Sequence, residues 1–267
     1  MAQPAASPAP AVALRHVAKR YGDKAVLHGL DLAVPAGQVL GYVGPNGAGK
    51  STTIKILVGL LGAFDGQALV DGVDVRDDPL EVKRRIGYVP EVATLYESLT
   101  IHEHLLLVGR MHGLDDDVTE ARGEAMLEVF DLGPRRHTSL GALSKGMRQK
   151  VLFTGALLHD PKILFLDEPL SGLDVQSTVL VKELLRTLAG AGKTIVYCSH
   201  MLDVVERVCD RIVVLQGGRI VADGPFATLA EQSRGGGTLE QIFLELTADQ
   251  SATDRAGRLL AAMRSGS

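Results

Sequence analysis

The segment Gly44-Pro45-Asn46-Gly47-Ala48-Gly49-Lys50-Ser51 constrains this chain more than any other. It fits G-x-x-x-x-G-K-S/T, with an apolar run at residues 39–43 before it and a helical pattern from Lys50 after it. Glycines at 44, 47 and 49 let successive backbone N–H groups turn inward around phosphate oxygens. The helix that follows adds the positive end of its dipole. Lys50 supplies a mobile charge for β- and γ-phosphates, Ser51 a hydroxyl for Mg²⁺, and Thr52 completes the phosphate-binding set. A strand, a loop and a helix joined in this way demand an α/β fold.

The rest of the chain agrees. Short β-branched runs (VALRHVAKRY, QVLGYV, QALV, IGYV, ILFLD, TIVYCS, RIVVLQ) alternate with helical periodicity, which predicts a mostly parallel sheet with helices on both faces. Turns at Asp71-Gly72 and Gly217-Gly218 predict added antiparallel sheet. Residues 98–143 have helical spacing and no convincing strand, and read as the heart of a helical subdomain over about 92–160. Residues 1–10 and 248–267 have the composition of disordered or flexible tails around a domain at 11–247, although 253–264 could form a short amphipathic helix.

Composition narrows the class. With 46% hydrophobic side chains, 267 residues can bury a sizeable core. The 28 Lys plus Arg against 32 Asp plus Glu leave a charge of -4, so nucleic acid is not the expected partner. The uncharged stretch 32–49 holds five glycines and two prolines and cannot span a membrane. No secretory signal is visible in the first ten residues, which places the chain on the cytoplasmic side. Cys198 and Cys209 sit in apolar surroundings and read as small hydrophobes.

A second chemical element lies at Asp167-Glu168-Pro169, where the apolar run 163–166 ends. The C-terminal end of an interior parallel strand opens on the ligand crevice, where Asp167 can hold Mg²⁺ and Glu168 can polarise an attacking water. Together with the phosphate loop this spells Mg²⁺-dependent nucleotide hydrolysis. His102, Glu103 and His104 begin a helix, where alternate residues diverge, so they do not read as a metal cluster. Asp115-Asp116-Asp117 reads as a solvated helix start.

Leu143-Ser144-Lys145-Gly146 opens a helix with Ser144 as its cap. Here the chain resembles the ATP-binding cassette (ABC) family, whose landmarks appear in order over residues 12–247. They are Tyr21, the loop 44–51, Tyr88-Val89-Pro90-Glu91, the signature at 143–146, ILFLDEP, Ser171-Gly172-Leu173-Asp174, and His200 after TIVYCS. The resemblance implies a P-loop NTPase (RecA-like) α/β core with a mostly parallel sheet, an antiparallel β subdomain and a helical subdomain. It implies two cassettes bound head to tail around two ATP molecules, with Ser144 and Gly146 of one facing the nucleotide of the other. Tyr21 would stack on adenine, Asp174 would contact the partner's site, and His200 would reach the γ-phosphate.

Two departures matter: the signature reads LSKGMRQK, and Glu91 stands where glutamine is usual. Both are similar to ATPase subunits of ABC-2-type exporters, as are LYESLTIHEHL and TLEQIFLELT. That resemblance implies an ATPase at the cytoplasmic face of the membrane, driving integral membrane permease subunits that dock near Leu95 and Tyr96. Glu91 would border the Mg²⁺ and couple to the permease. An importer subunit is the alternative, and a soluble ABC ATPase acting on DNA or ribosomes the more distant one. Lys145 and Leu170 have no physical account in the sequence.

Overall fold

A computed structural model of the chain describes residues 9–92, 94–233, 237–247 and 263. The suggested helix at 253–264, residue 263 excepted, and almost all of the tail assignments lie outside them. In chain order the first half contains β1 (Val12–Tyr21), β2 (Lys24–Val34), β3 (Val39–Val43), α1 (Lys50–Leu57), β4 (Asp65–Val70), β5 (Val73–Asp74), α2 (Pro79–Arg85) and β6 (Ile86–Val89). Three helices follow, α3 (Ile101–Met111), α4 (Asp116–Val129) and α5 (Lys145–Leu157). The remainder holds β7 (Ile163–Asp167), α6 (Val175–Gly190), β8 (Thr194–Cys198), α7 (Leu202–Val208), β9 (Arg211–Gln216), β10 (Arg219–Gly224), α8 (Phe226–Gln232) and α9 (Leu239–Thr247).

The main sheet runs β10-β9-β3-β8-β7-β6. Its strands are parallel from β9 to β6, and β10 returns antiparallel through the Gly217-Gly218 turn. A second, antiparallel sheet runs β2-β1-β4-β5, with Asp71-Gly72 turning β4 into β5. The expected α/β architecture is therefore present. The elements passed over in the sequence are β2, whose alternating KAVLHGLDLAV pairs with β1 across Gly22-Asp23, the seven-residue helix α2, capped by Asp78, and the helices α8 and α9.

Every residue of β3, β7 and β8 is buried, as continuous apolar runs in a doubly covered parallel sheet require. Alternate side chains enter two different cores. Val39, Val43, Leu164, Leu166, Ile195 and Tyr197 pack with Val151, Phe153, Val181 and Val205 from the helices. Leu40, Tyr42, Ile163, Phe165 and Val196 pack with Ile54 and Ile56 of α1 and with Val12, Leu14 and Leu32 of the antiparallel sheet. Among the described residues no helix is long and apolar enough to cross a membrane.

The helices α3 to α5 leave the core after β6 and return at β7. Thr100 and Glu103 form a capping box at the start of α3, which accounts for the acidic residue between His102 and His104. The return is anchored where α5 crosses β6: a Cβ at Gly87 would lie 2.3 Å from the Ala156 carbonyl oxygen. Neither backbone can yield without moving the helix. Gly87→Ala should therefore lower stability by about 1–3 kcal/mol in urea denaturation. Gly190→Ala, where nothing lies within 4 Å of the added carbon, should change it by less than about 0.5 kcal/mol.

Candidate functional site

The loop 44–51 leaves β3 at the middle of the sheet and wraps the first turn of α1. Its tight path requires glycine at 49, where φ is +110° and a Cβ would fall 2.6 Å from Leu27 Cδ2. The helix start is pinned by Thr53, whose hydroxyl donates to the Gly49 carbonyl at 3.0 Å and accepts from the buried Tyr42 hydroxyl at 3.2 Å. Pro45 accepts from the Ala48 N–H at 3.1 Å, and the Ala48 carbonyl accepts from Gly218 at 3.0 Å. Lys50 folds back over the loop, its ammonium donating to the carbonyls of Gly44 at 2.6 Å and Pro45 at 3.2 Å. These are the contacts that an oxyanion in the loop would replace.

Facing the loop are the ends of β7 and β8. Asp167 is 3% exposed. Burial raises its pKa above the usual carboxylate range, hydrogen bonds with Cys198 and Ser51 pull it back, and the charges of Glu91 and Glu168 push it up again. Glu168 takes φ +50°, which swings its side chain out of the strand and into the cleft. Its N–H donates to the Cys198 carbonyl at 2.8 Å, and its carboxylate accepts from Ser199 Oγ at 3.2 Å. His200 Nδ1 stands 2.7 Å from the same carboxylate oxygen, Oε2. Ser199 Oγ also accepts from the Met201 N–H at 3.1 Å, so that hydroxyl, rather than His200, opens the turn into α7.

The walls of this cleft, about 340 Å³ in volume, include Asn46, Gly47, Gly49, Lys50, Ser51, Thr52, Glu91, Asp167 and Glu168. An ammonium and inward amides on one side, with three carboxylates opposite, suit a polyphosphate carrying a divalent cation. Lys24 and Val26 also line it, and the sequence reading missed both. Their signal was the alternation in residues 24–34 that marks β2 as the partner of β1. Ser199 was missed too; a hydroxyl just beyond a buried strand's C-terminal end was the sign.

Gly44, Pro45 and Ala48 shape the loop without lining the cleft, His200 reaches it only through Glu168, and four further expected site residues, Tyr21, Ser144, Gly146 and Asp174, are held away from its walls. Tyr21 is 48% exposed at the end of β1, paired in register with Lys24. Ser144 caps α5, accepting from the Met147 N–H at 3.3 Å. Gly146 packs on the loop 169–174 so closely that a Cβ would lie 2.6 Å from the Gly172 carbonyl oxygen. Asp174 caps α6, accepting from Ser177 N and Oγ at 2.8 Å each. The structure also accounts for two residues that the sequence left unexplained. Lys145 donates to Ser171 Oγ at 2.9 Å while its stem covers Gly172, and Leu170 is buried in the core beneath.

The family model described as ABC transporter matches residues 27–171. The chain is 38% identical to Nod factor export ATP-binding protein I of Burkholderia lata, over 87% of this chain and 77% of that protein. It is 35% identical to the linearmycin resistance ATP-binding protein LnrL of Bacillus subtilis, over 85% of this chain and 73% of that one. Among solved structures, the ATP-binding subunit of an ABC transporter superposes with a TM-score of 0.83 at 34% identity, covering 88% of this chain and 99% of that one. A dimeric cassette in a post-hydrolysis state, bound to ADP and Pi, gives 0.74 at 25% identity over 80% and 98%. With the loop, the paired carboxylates and the sheet order already in place, these likenesses identify the chain as a member of the ABC transporter family and as one of its ATP-binding, ATP-hydrolysing subunits.

Proposed function

We propose that this chain is the energy-coupling ATPase of an exporter, acting at the cytoplasmic face of the membrane as a dimer beneath separate permease subunits, with no nucleic acid partner. The names of its relatives, Nod factor export and linearmycin resistance, support the direction of transport. The single observation that carries the chemistry is the contact of Glu168 with His200 at the mouth of the phosphate loop.

In this reading the amides of residues 44–49 and the Lys50 ammonium bind the β- and γ-phosphates of ATP, with Thr52 beside them. Ser51 and Asp167, with Glu91 bordering them, would hold Mg²⁺. Their donor set fits a hard cation, because a buried carboxylate next to two more carboxylates lacks only positive charge. The ion would neutralise charge between the β- and γ-phosphoryl oxygens. Glu168 orients and deprotonates the water that attacks the γ-phosphorus in line, and His200 holds the Glu168 carboxylate while reaching for the γ-phosphate. Tyr21 stacks on adenine. Ser144 and Gly146 of the second cassette face the γ-phosphate through the N-terminus of α5, and Asp174 meets the partner's site.

The cassette spans residues 11–247, and its helical lobe, about 92–160, receives the permease. An apolar groove lined by Leu60, Tyr88, Leu95, Val108, Met111 and Leu152 supports that placement, with Tyr96 69% exposed beside it. Glu91 sits where the nucleotide cleft adjoins this lobe and couples the two.

Three measurements test these assignments. Glu168→Gln, which keeps a side-chain acceptor for Ser199, should bind ATP and dimerise but hydrolyse about 10²–10⁴-fold more slowly. Near-normal turnover would remove Glu168 from its role as base. Asp167→Asn should raise the melting temperature of the nucleotide-free protein at pH 8. A buried aspartate with a raised pKa destabilises the folded state above that pKa, so the gain should shrink as the pH falls through it and the wild-type carboxyl protonates. Tyr96→Asp should abolish permease-stimulated ATPase and leave ATP binding intact; loss of ATP binding would place Tyr96 elsewhere.

A further inference from the structure

Lys19 is 9% exposed on β1, yet among the described residues it forms no ion pair with a carboxylate. A buried ammonium is expensive unless something replaces its water. Two groups do so here. The Ala63 carbonyl, in the segment between α1 and β4, accepts a hydrogen bond from Lys19 Nζ. The ring of Tyr21 lies on the other side, its centroid 4.9 Å from the same nitrogen. Tyr21 itself is half-exposed, at the tip of a hairpin whose turn is closed by Arg20 donating to the Asp23 carbonyl at 2.7 Å. One face of the ring is thus taken by a cation anchored to the core, and ring surface remains open to solvent.

We infer that Lys19 is a positioning residue for the nucleotide base: its ammonium holds the Tyr21 ring from beneath, so that the purine of ATP stacks on the opposite face. The inference rests on the reading of Tyr21 as the adenine platform. Two physical effects follow from the arrangement. A ring at a hairpin tip would otherwise sample several rotamers, and the cation fixes one before the ligand arrives, which reduces the ordering that binding must supply. The cation also draws electron density toward its own side of the ring. That leaves the outer face less negative and better matched to an electron-rich purine than a free phenol face would be. The bond to Ala63 is what keeps the ammonium under the ring rather than in water. Lys19 is not among the residues that line the cleft, so its influence on the nucleotide passes through Tyr21.

The test separates base from phosphates. The full-length protein and its variants are titrated calorimetrically, without Mg²⁺ so that no hydrolysis intervenes, with ATP and with inorganic tripolyphosphate, which has no base. Lys19→Gln keeps a hydrogen-bond donor and drops the charge. It should weaken ATP binding about 3- to 20-fold, as expected for loss of a largely desolvated cation–π contact, and leave tripolyphosphate binding unchanged. Lys19→Arg should remain close to wild type. Tyr21→Ala should lose at least as much ATP affinity as Lys19→Gln, and the double variant no more than Tyr21→Ala alone. If Tyr21→Ala weakens ATP while Lys19→Gln does not, the inference is overturned and the platform stands. If Tyr21→Ala has no effect, the platform itself fails and the inference with it. Equal losses for ATP and tripolyphosphate in a folded Lys19→Gln protein would make Lys19 merely structural.

Discussion

The site depends on the register of three adjacent parallel strands. β3 pairs with β8 from Val39↔Ile195 to Tyr42↔Cys198, and β8 with β7 from Thr194↔Ile163 to Cys198↔Asp167. All three strands therefore end at one edge of the sheet. The phosphate loop, Ser199-His200 and Asp167-Glu168 emerge side by side there, although they lie far apart in sequence. The Glu168 N–H extends the ladder by one more bond to Cys198, and only then does the backbone turn to φ +50°. A slip of one residue in either pairing would reverse every side chain between the two cores and point Asp167 away from Ser51. Burial on both faces of the sheet is what forbids that slip, so the apolar packing and the polar site are a single constraint.

The same burial sets the electrostatics of the cleft. Asp167 lies among apolar strand neighbours with Glu91 and Glu168 close by, an arrangement that raises its pKa and costs folding free energy in the absence of a cation. Lys50 faces the opposite situation, its ammonium occupied by two carbonyls of its own loop. Negative charge on one wall and a self-satisfied cation on the other make the protein groups of the cleft, by themselves, a poor electrostatic minimum. A polyphosphate bound together with the proposed Mg²⁺ would relieve both walls together. Such a departure from the stability optimum is the pattern expected of a functional site.

Much of this was legible in the sequence, for identifiable reasons. The motif at 44–51 needs a strand before it and a helix after it, and both are there. Continuous apolar runs predicted β3, β7 and β8 because strands covered on both faces have no polar side to show. Ser144 was readable as a cap from its hydroxyl and its place before a helical pattern. β2 was harder to see. Its single His, Gly and Asp break the apolar run, and a half-exposed antiparallel strand is recognised only through its partner. Lys24 and Val26 were lost with it, since their significance comes from the pairing of β1 with β2, and Lys19 because the carbonyl that holds it lies 44 positions away. Lys145 and Leu170 were beyond local reading for another reason: one bonds to a residue 26 positions away, and the other is buried by neighbours from several elements.

The structure also shows how the start of α5 is tied to the chain that leads away from the nucleotide cleft, and the ties come in two sets. On one side Gln149 donates to the Pro169 carbonyl at 3.0 Å, Lys145 bonds Ser171, and Gly146 rests on Gly172, so α5 is fastened to the loop that begins at Glu168. On the other, Arg148 pairs with Glu97 at 3.1 Å and donates to the carbonyls of Leu143 and Gly141, fastening the same turn of α5 to the segment that follows Glu91. The first turn of α5 is thus held between two stretches of chain, each of which starts at a carboxylate of the cleft. In the proposed dimer this turn faces the second cassette's γ-phosphate. Gain or loss of that contact would pull on both stretches at once. Because the packed elements between them are stiff, the pull in that dimer would move α5 as a body rather than dissipate in a loop.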